Sequence, residues 1–439
     1  MSETVTSSER YLAVLARRAF LRLWSYPNPF AKKGKELCDL LFVFGDDVVI
    51  FSDKDCFLNS SKAVALAWRR WYSRAVLESA SQVAGAERAL LRGLVPYLDA
   101  TSERLIEVPI PQKPRVHRVL TVRGAADAAR SEWGGRGSLI VTNRPLDSCL
   151  EAPFRVGTTD VSGRFFHVFD QNALDAVLGT LDTAKDLLEY LSKREALLSR
   201  PKQVTASSEE DVLGFFMMSF DPATNQHDFP DDPASSLAID NSHWEAWASS
   251  EQRAARDQAN VVSYLWDELV DKFSFHILGG TLESPLLSSV ADQEPLARWL
   301  ASLSRFKRRI LSSTLVDMLQ TTNRGQIRRR YLPATATDEP FWVFVVLPKP
   351  DEVTYEAYRQ ARRGLLAQHV YVVKFLHPEA LDIVAVALGD SDGEMTEDAM
   401  VADCRDWSQE FVEEGRRLNE GGIFRSPTQS RRTEYNYPV

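Results

Sequence analysis

Cysteine is scarce in this chain and nothing in its spacing pairs it. Cys38, Cys56, Cys149 and Cys404 are scattered over 439 residues with no C-x-x-C pattern. That excludes a disulfide framework and a cysteine-built zinc site, and a reducing, cytoplasmic setting is expected. Long hydrophobic runs are also missing. The longest strongly apolar stretch, Phe341–Leu347, is far shorter than the roughly 20 residues that span a bilayer. The segment Met1–Arg10 is polar and lacks an apolar h-region, so neither a signal peptide nor a membrane span is expected. The seven histidines include no pair at i, i+4, and there is no phosphate loop, no dinucleotide glycine fingerprint, no HExxH and no GxSxG elbow. Zinc hydrolysis, nucleotide-driven motors and α/β-hydrolase chemistry therefore lack support. A functional site has to be sought among carboxylates and lysines.

What is present is ordinary globular material. Hydrophobic residues make up 44% and charged residues 26% of the 439 positions, enough for two to three domains with buried cores. The 52 Lys+Arg against 61 Asp+Glu leave a net charge of −9. A uniformly basic nucleic-acid coat is excluded; a local basic groove is not.

Periodicity predicts a mixed α/β protein. A capping box at Thr6-x-x-Glu9 opens a first helix through Leu23, ending before Pro27. Leu40–Phe44 and Val48–Phe51, joined through Gly45-Asp46-Asp47, form a hairpin; neither run alternates, so both belong in the middle of a covered sheet. The Ala/Leu/Arg-rich stretch Ser61–Tyr97 is helical, with an interruption near Gly85, and Arg118–Val122, Ser138–Thr142 and Arg164–Phe169 are strands. One amphipathic helix is expected over Asn172–Leu198, loops over Ser199–Glu210 and Asp221–Ser236, and helices from Asp257 to Ser312. The last third is read as strand Phe341–Leu347, helix Val353–Ala367, strands Val370–Phe375 and Asp382–Leu388, acidic loop Asp390–Glu397 and helix Trp407–Asn419. These elements divide into segments 1–125, 126–200, 201–334 and 335–439, the third mainly helical with polar linkers and the last a second, smaller α/β unit suited to docking a protein partner.

The hairpin assembles chemistry from few residues. A tight hairpin sets Asp39, at the start of one strand, beside Ser52-Asp53-Lys54 at the end of the next. Alternation places Ser52 and Lys54 on one face and Asp53 on the other. A carboxylate with a neighbouring lysine is what Mg²⁺-dependent phosphodiester hydrolysis needs: Asp39 binds the metal, Ser52 or Asp53 completes the ligands, and Lys54 acts on the attacking water or phosphate. Lys32, Lys33 and Lys35, with Arg69, Arg70 and Arg74 interleaved with Trp68, Trp71 and Tyr72, are candidates for a phosphate-binding groove. The alternative for these aromatics is core, with arginine stems covering them. A second basic cluster, Arg305, Lys307, Arg308, Arg309 and then Arg324, Arg328, Arg329, Arg330, either extends such a track or is a solvated face. His167 is read as a core histidine.

The stretch Glu36-Leu-Cys-Asp39 … Val48-Val-Ile-Phe-Ser-Asp-Lys54, set between two helices, resembles the core of the PD-(D/E)xK restriction-endonuclease-like superfamily, with its αβββαβ order. Twelve residues separate Asp39 from Ser52. The resemblance covers about residues 8–125. It implies that Asp39 and Lys54 are the family's aspartate and lysine, with Mg²⁺ (or Mn²⁺) as cofactor and DNA, less readily RNA, as substrate; defence against foreign DNA is a further implication. The departure is Ser52, which stands where the family has its second acid. Family members that shift this acid to the following helix point to Glu78 or Glu87, and a helix glutamine near the site points to Gln82, which shares a stripe with Arg74 and Glu78. Glu36 is a further candidate, and Asp53 serves only if a bulge turns it inward. The missing acid also leaves open a second reading, a degenerate nuclease fold that binds nucleic acid or protein without chemistry.

Overall fold

A computed structural model of the chain describes all residues except 1–10, 13–22, 102–103, 222–225, 232–234, 279–289, 324–325, 337–338, 392–393, 429–433 and 438–439. The expected first helix falls mostly outside the described residues; Tyr11 and Leu12 are helical. The chain forms two compact units, Met1–Gln258 with Tyr435–Val439, and Ala259–Glu434. Both are mixed α/β. Among the described residues no helix is long and apolar enough to cross a membrane.

Unit 1 is organised by a sheet of β1 (Ser25–Pro27), β2 (Leu40–Phe44), β3 (Asp47–Asp55), β4 (Arg115–Arg123) and β5 (His167–Asp170), in that spatial order. β2 runs antiparallel to β1 and β3, and β3, β4 and β5 are parallel. The expected hairpin is β2–β3, in register from Leu40↔Phe51 to Phe44↔Asp47. Its loop is Gly45-Asp46, with Gly45 at φ +59° as the first residue of a II′-type turn needs. All five residues of β2 and the first seven of β3 are buried, so the runs do not alternate because both faces are covered.

A parallel β3–β4 pair needs a crossover, supplied by α1 (Val64–Tyr72) and α2 (Glu78–Leu91), joined by the π-helical turn Ser73–Leu77. The irregularity lies there; Gly85 is inside regular helix. Trp68, Trp71 and Tyr72 are core residues, and the Trp68 and Tyr72 polar atoms donate to the carbonyls of Cys149 and Leu146 at 2.9 and 3.0 Å. α2 covers the sheet face that carries Arg118, to which Glu87 reaches; on the other face Arg194 and Glu195 of α4 (below) lie near His167 of β5 and His117 of β4.

The single helix expected over Asn172–Leu198 is two, α3 (Gln171–Thr180) and α4 (Ala184–Leu198). Asp170 caps the first by accepting from Ala173 N–H, and Thr183 caps the second by accepting from Asp186 N–H. The expected loops contain strands. Gln203–Ala206 and Ser236–Ile239 join Ile140–Thr142 and Arg155–Val156 in a second sheet, because Val204, Ala206 and Ile239 bury there. α5 (Glu209–Met218) follows.

Unit 2 contains α6 (Tyr264–Leu278), α7 (Arg305–Thr321) and a sheet of β6 (Arg328–Leu332), β7 (Phe341–Val346), β8 (Asp382–Ser391) and β9 (Glu394–Asp403), backed by α8 (Tyr355–Leu376) and α9 (Gln409–Glu420). Val370–Phe375, expected as a strand, lies inside α8. Leu366, His369, Val370 and Val373 recur at helical spacing and all bury, so packing against the sheet overrides the β preference of a valine run. The expected acidic loop Asp390–Glu397 is mostly the tip of the β8–β9 hairpin, paired from Asp382↔Asp403 to Ser391↔Glu394.

Gly124, just past β4, adopts φ +85°, and a Cβ there would collide with the Cys56 carbonyl. Gly124→Ala is expected to destabilise unit 1 by about 2–4 kcal/mol, from left-handed strain plus overpacking, read as a lower urea midpoint; an unchanged midpoint contradicts this account.

Candidate functional site

The parallel strands β3, β4 and β5 end on one edge of the sheet, where β2 begins. Ligand sites of open α/β sheets form beyond such carboxyl ends. Asp39 N–H donates to Phe51 O at 3.2 Å, and the Asp39 carboxylate accepts from Asp53 N–H at 2.5 Å. The side chain thus takes the place of a backbone carbonyl at the end of the ladder. Continuing the register one step beyond Leu40↔Phe51 pairs Asp39 with Ser52, so Asp39, Ser52 and Lys54 share the α2-covered face. Ser52 is buried and its hydroxyl has no hydrogen-bond partner among the described residues. Lys54 is half-buried and forms no ion pair with a described carboxylate.

Asp53 is not turned inward. β3 pairs with β4 without a bulge through Asp53↔Thr121 and Lys54↔Val122. Asp53 is held on the opposite face by the Thr121 hydroxyl, with Arg123 Nε at 3.7 Å.

The candidates for a second acid separate clearly. Glu87 is buried in ion pairs with Arg118, Nε at 2.8 Å, and Arg164 at 3.4 Å, so it is spent on the core. Glu78, Gln82 and Arg74 do form one stripe, and that stripe is exposed, with Ser79 and Val83 facing inward. Glu36 lies on the short strand Lys35–Glu36, three residues before Asp39. The Cys38 thiol is pushed well above its usual range by burial and then by the charges of Asp39 and Glu36. Asp39, Glu36 and Ser52 offer hard oxygen donors, the kind Mg²⁺ takes.

Lys32, Lys33, Lys35, Arg70 and Arg74 are exposed, and Arg69 pairs with Glu151 at 2.5 Å on the surface. The interleaved aromatics are core and unavailable for stacking. In unit 2, Arg305 and Arg308 bind Asp267 at 2.8 and 2.7 Å, Lys307 binds Glu339 at 2.9 Å, and Arg309 lies 3.6 Å from Glu434. These residues are scaffold, while Arg328, Arg329 and Arg330 are exposed on edge strand β6 and Arg324 lies outside the described residues.

Two polar groupings were not legible. One nitrogen each of His117 and His167 and a Glu195 oxygen lie within 4.8 Å of one another. His117 Nε2 is 3.2 Å from Asp47, whose carboxyl is raised by burial but held below its usual range by His117 and Arg115. Arg194 NH1 is 3.2 Å from His167 Nδ1. A guanidinium only donates, so His167 Nδ1 holds the lone pair and Nε2 the proton. Burial, then Arg194, keeps His167 neutral, well below its usual pKa. Two imidazoles and one carboxylate are not the hard oxygen set that Mg²⁺ prefers, so the cluster gives no support to a Mg²⁺ site. The two histidines come from adjacent strands, so no sequence spacing links them.

The second grouping is Asp170 and Glu210. Asp170 accepts from Leu139 and Ala173 N–H at 2.7 and 2.9 Å; Glu210 accepts from the Ser138 hydroxyl at 2.6 Å, and its Oε2 is buried without a hydrogen-bond partner among the described residues. Burial raises Asp170 to about 6, and burial plus the Asp170 charge raises Glu210 to about 7.

No protein-family model, no curated protein and no solved structure matches the chain.

Because the folded-state values of Asp170 and Glu210 lie above those of an unfolded chain, their stability contribution is full below about pH 4 and lost as pH rises through 6 to 7. Glu210→Gln keeps the acceptor for Ser138. It is expected to raise unit 1 stability at pH 8 by about 2 kcal/mol and to flatten its loss between pH 5 and 8. Parallel pH profiles of urea midpoints for variant and wild type contradict this.

Proposed function

We propose that unit 1 is a metal-dependent phosphodiesterase acting on nucleic acid, DNA in the first instance, on a restriction-endonuclease-like plan. The observation that carries this reading is the shared face of Asp39, Ser52 and Lys54 at the edge where β3, β4 and β5 end. The sheet order β1-β2-β3-β4-β5, with a helical crossover between β3 and β4, supports it as well. Asp39 and Glu36 would hold Mg²⁺ or Mn²⁺, with the Ser52 hydroxyl as a neutral oxygen donor. Bound there, the ion supplies Lewis-acid polarisation of the phosphoryl group. Lys54, without a competing carboxylate among the described residues, orients the attacking water and offsets charge building on the phosphoryl oxygens. The exposed Lys32, Lys33, Lys35, Arg70 and Arg74 supply phosphate contacts along the strand.

A second reading, a nucleic-acid-binding module without turnover, is favoured by one observation: Ser52 stands at the second acid's position while Glu87 is locked by Arg118 and Arg164.

Purified protein with labelled DNA and Mg²⁺ or Mn²⁺ is expected to cleave. Asp39→Ala and Lys54→Ala are each expected to slow cleavage by about 10²-fold or more, Lys54→Ala with a thermal midpoint near wild type and Asp39→Ala with a lowered one, since the Asp53 amide loses its acceptor; Asp39→Asn, which keeps an oxygen there, is expected to lose cleavage with less loss of stability. Equal cleavage by all three proteins removes the site. Binding without cleavage by wild type, converted to cleavage by Ser52→Glu, establishes the second reading.

A further inference from the structure

Phe57 lies in the loop leaving β3, three residues beyond Lys54, and is 81% exposed. An exposed phenylalanine on a loose loop means little, but this one is pinned on both sides. Trp71 Nε1 donates to Cys56 O at 2.8 Å, and Leu58 N–H donates to Gly124 O at 3.1 Å. The Leu58 side chain is buried, and Gly124 packs so closely on Cys56 that no Cβ fits between them. Leu58 takes the inward position, so the intervening ring is directed into water at the carboxyl edge of the sheet. Scaffold is spent on displaying it.

The surrounding charge points to the occupant. From Cys56 to Leu77 the chain has no acidic residue and carries Lys62, Arg69, Arg70 and Arg74; the carboxylates beside this segment are exposed Asp55 at its start and Glu151, which pairs with Arg69. Lys62, Arg70 and Arg74 are exposed and unpaired among the described residues. Val64 and Leu66, the other apolar residues showing here, are each only 41% exposed. One outstanding ring in a cationic, acid-free segment fits a polyanion that also has flat apolar faces, better than it fits an apolar protein surface. Nucleobases stack on aromatic rings with little sequence preference while cations take the phosphates.

We propose that Phe57 is a stacking platform for an unpaired base next to the phosphate handled by Asp39 and Lys54, which makes single-stranded or locally opened nucleic acid the preferred substrate. This rests on the nucleic-acid reading above. Being exposed, Phe57 can be replaced without loss of fold, which a thermal midpoint verifies.

The test uses the full chain and short single-stranded oligonucleotides carrying 2-aminopurine at successive positions, with the Asp39→Ala background included so that binding is read without cleavage. Fluorescence quenching at one position is expected. Phe57→Ala should abolish it and weaken binding by roughly tenfold or more; Phe57→Trp should retain both. Wild-type binding and quenching by Phe57→Ala overturn the inference while the nucleic-acid reading stands. A Phe57→Ala protein that binds normally but changes its state of self-association identifies the ring as a protein contact and also overturns it. If wild type binds no oligonucleotide even at low salt, the nucleic-acid reading itself falls.

Discussion

Unit 1 depends on a hairpin buried on both faces. The side chains of β2 and the first seven residues of β3 are out of water, and each fully buried Leu, Val, Ile or Phe is worth about 1.5–3 kcal/mol. Such a hairpin has to be covered on both faces, and α2 packs against β3 on one of them. It also cannot host uncompensated charge in its middle. Polar chemistry is therefore displaced to the strand ends, and the parallel run of β3, β4 and β5 sends three of those ends to the same edge. Asp39 serves there as a substitute carbonyl for the Asp53 amide.

Asp170 and Glu210 aside, several charges that enter the interior are paired. Arg194 meets both oxygens of Glu209 at 2.7 Å, Glu87 meets Arg118 and Arg164, and in unit 2 Asp398 collects Arg359, Arg362 and Arg363. Removing one member of such a pair leaves a buried charge without compensation, at a cost of about 3–5 kcal/mol. These pairings decide which residues remain for function. Glu87, Arg305, Arg308 and Arg309 look like site residues in sequence and are structural in the fold. Lys54 and Lys62 are left with no carboxylate partner among the described residues.

Much of the fold was legible because local pattern and tertiary role agree. Apolar runs bracketed by turn residues became β2, β3, β4 and β7, and the aromatic Ala/Leu/Arg stretch became the α1–α2 crossover. The failures share a cause. Val370–Phe375 has β-prone composition, but its helical-spaced members are the ones that meet the sheet. Asn172–Leu198 reads as one amphipathic helix because a cap at Thr183 does not break periodicity. Gln203–Ala206 is too short and too polar to stand out, and it becomes a strand only because Ile140–Thr142 and Ser236–Ile239 lie beside it.

Of the site, the sequence by itself determined that Asp39 lies beside Ser52-Asp53-Lys54, because a tight hairpin pairs the start of one strand with the end of the next, and that Asp53 faces away from its neighbours, because strands alternate; that the loop has two residues and sets Asp39 opposite Ser52 was decided by the fold. Tertiary structure decided the rest. It turned the stripe of Arg74, Glu78 and Gln82 to solvent, locked Glu87 into the core, and set His117 against His167 across two strands that lie some fifty residues apart in the chain. Those outcomes turn on which faces are covered and which strands are neighbours, and spacing along the chain carries neither.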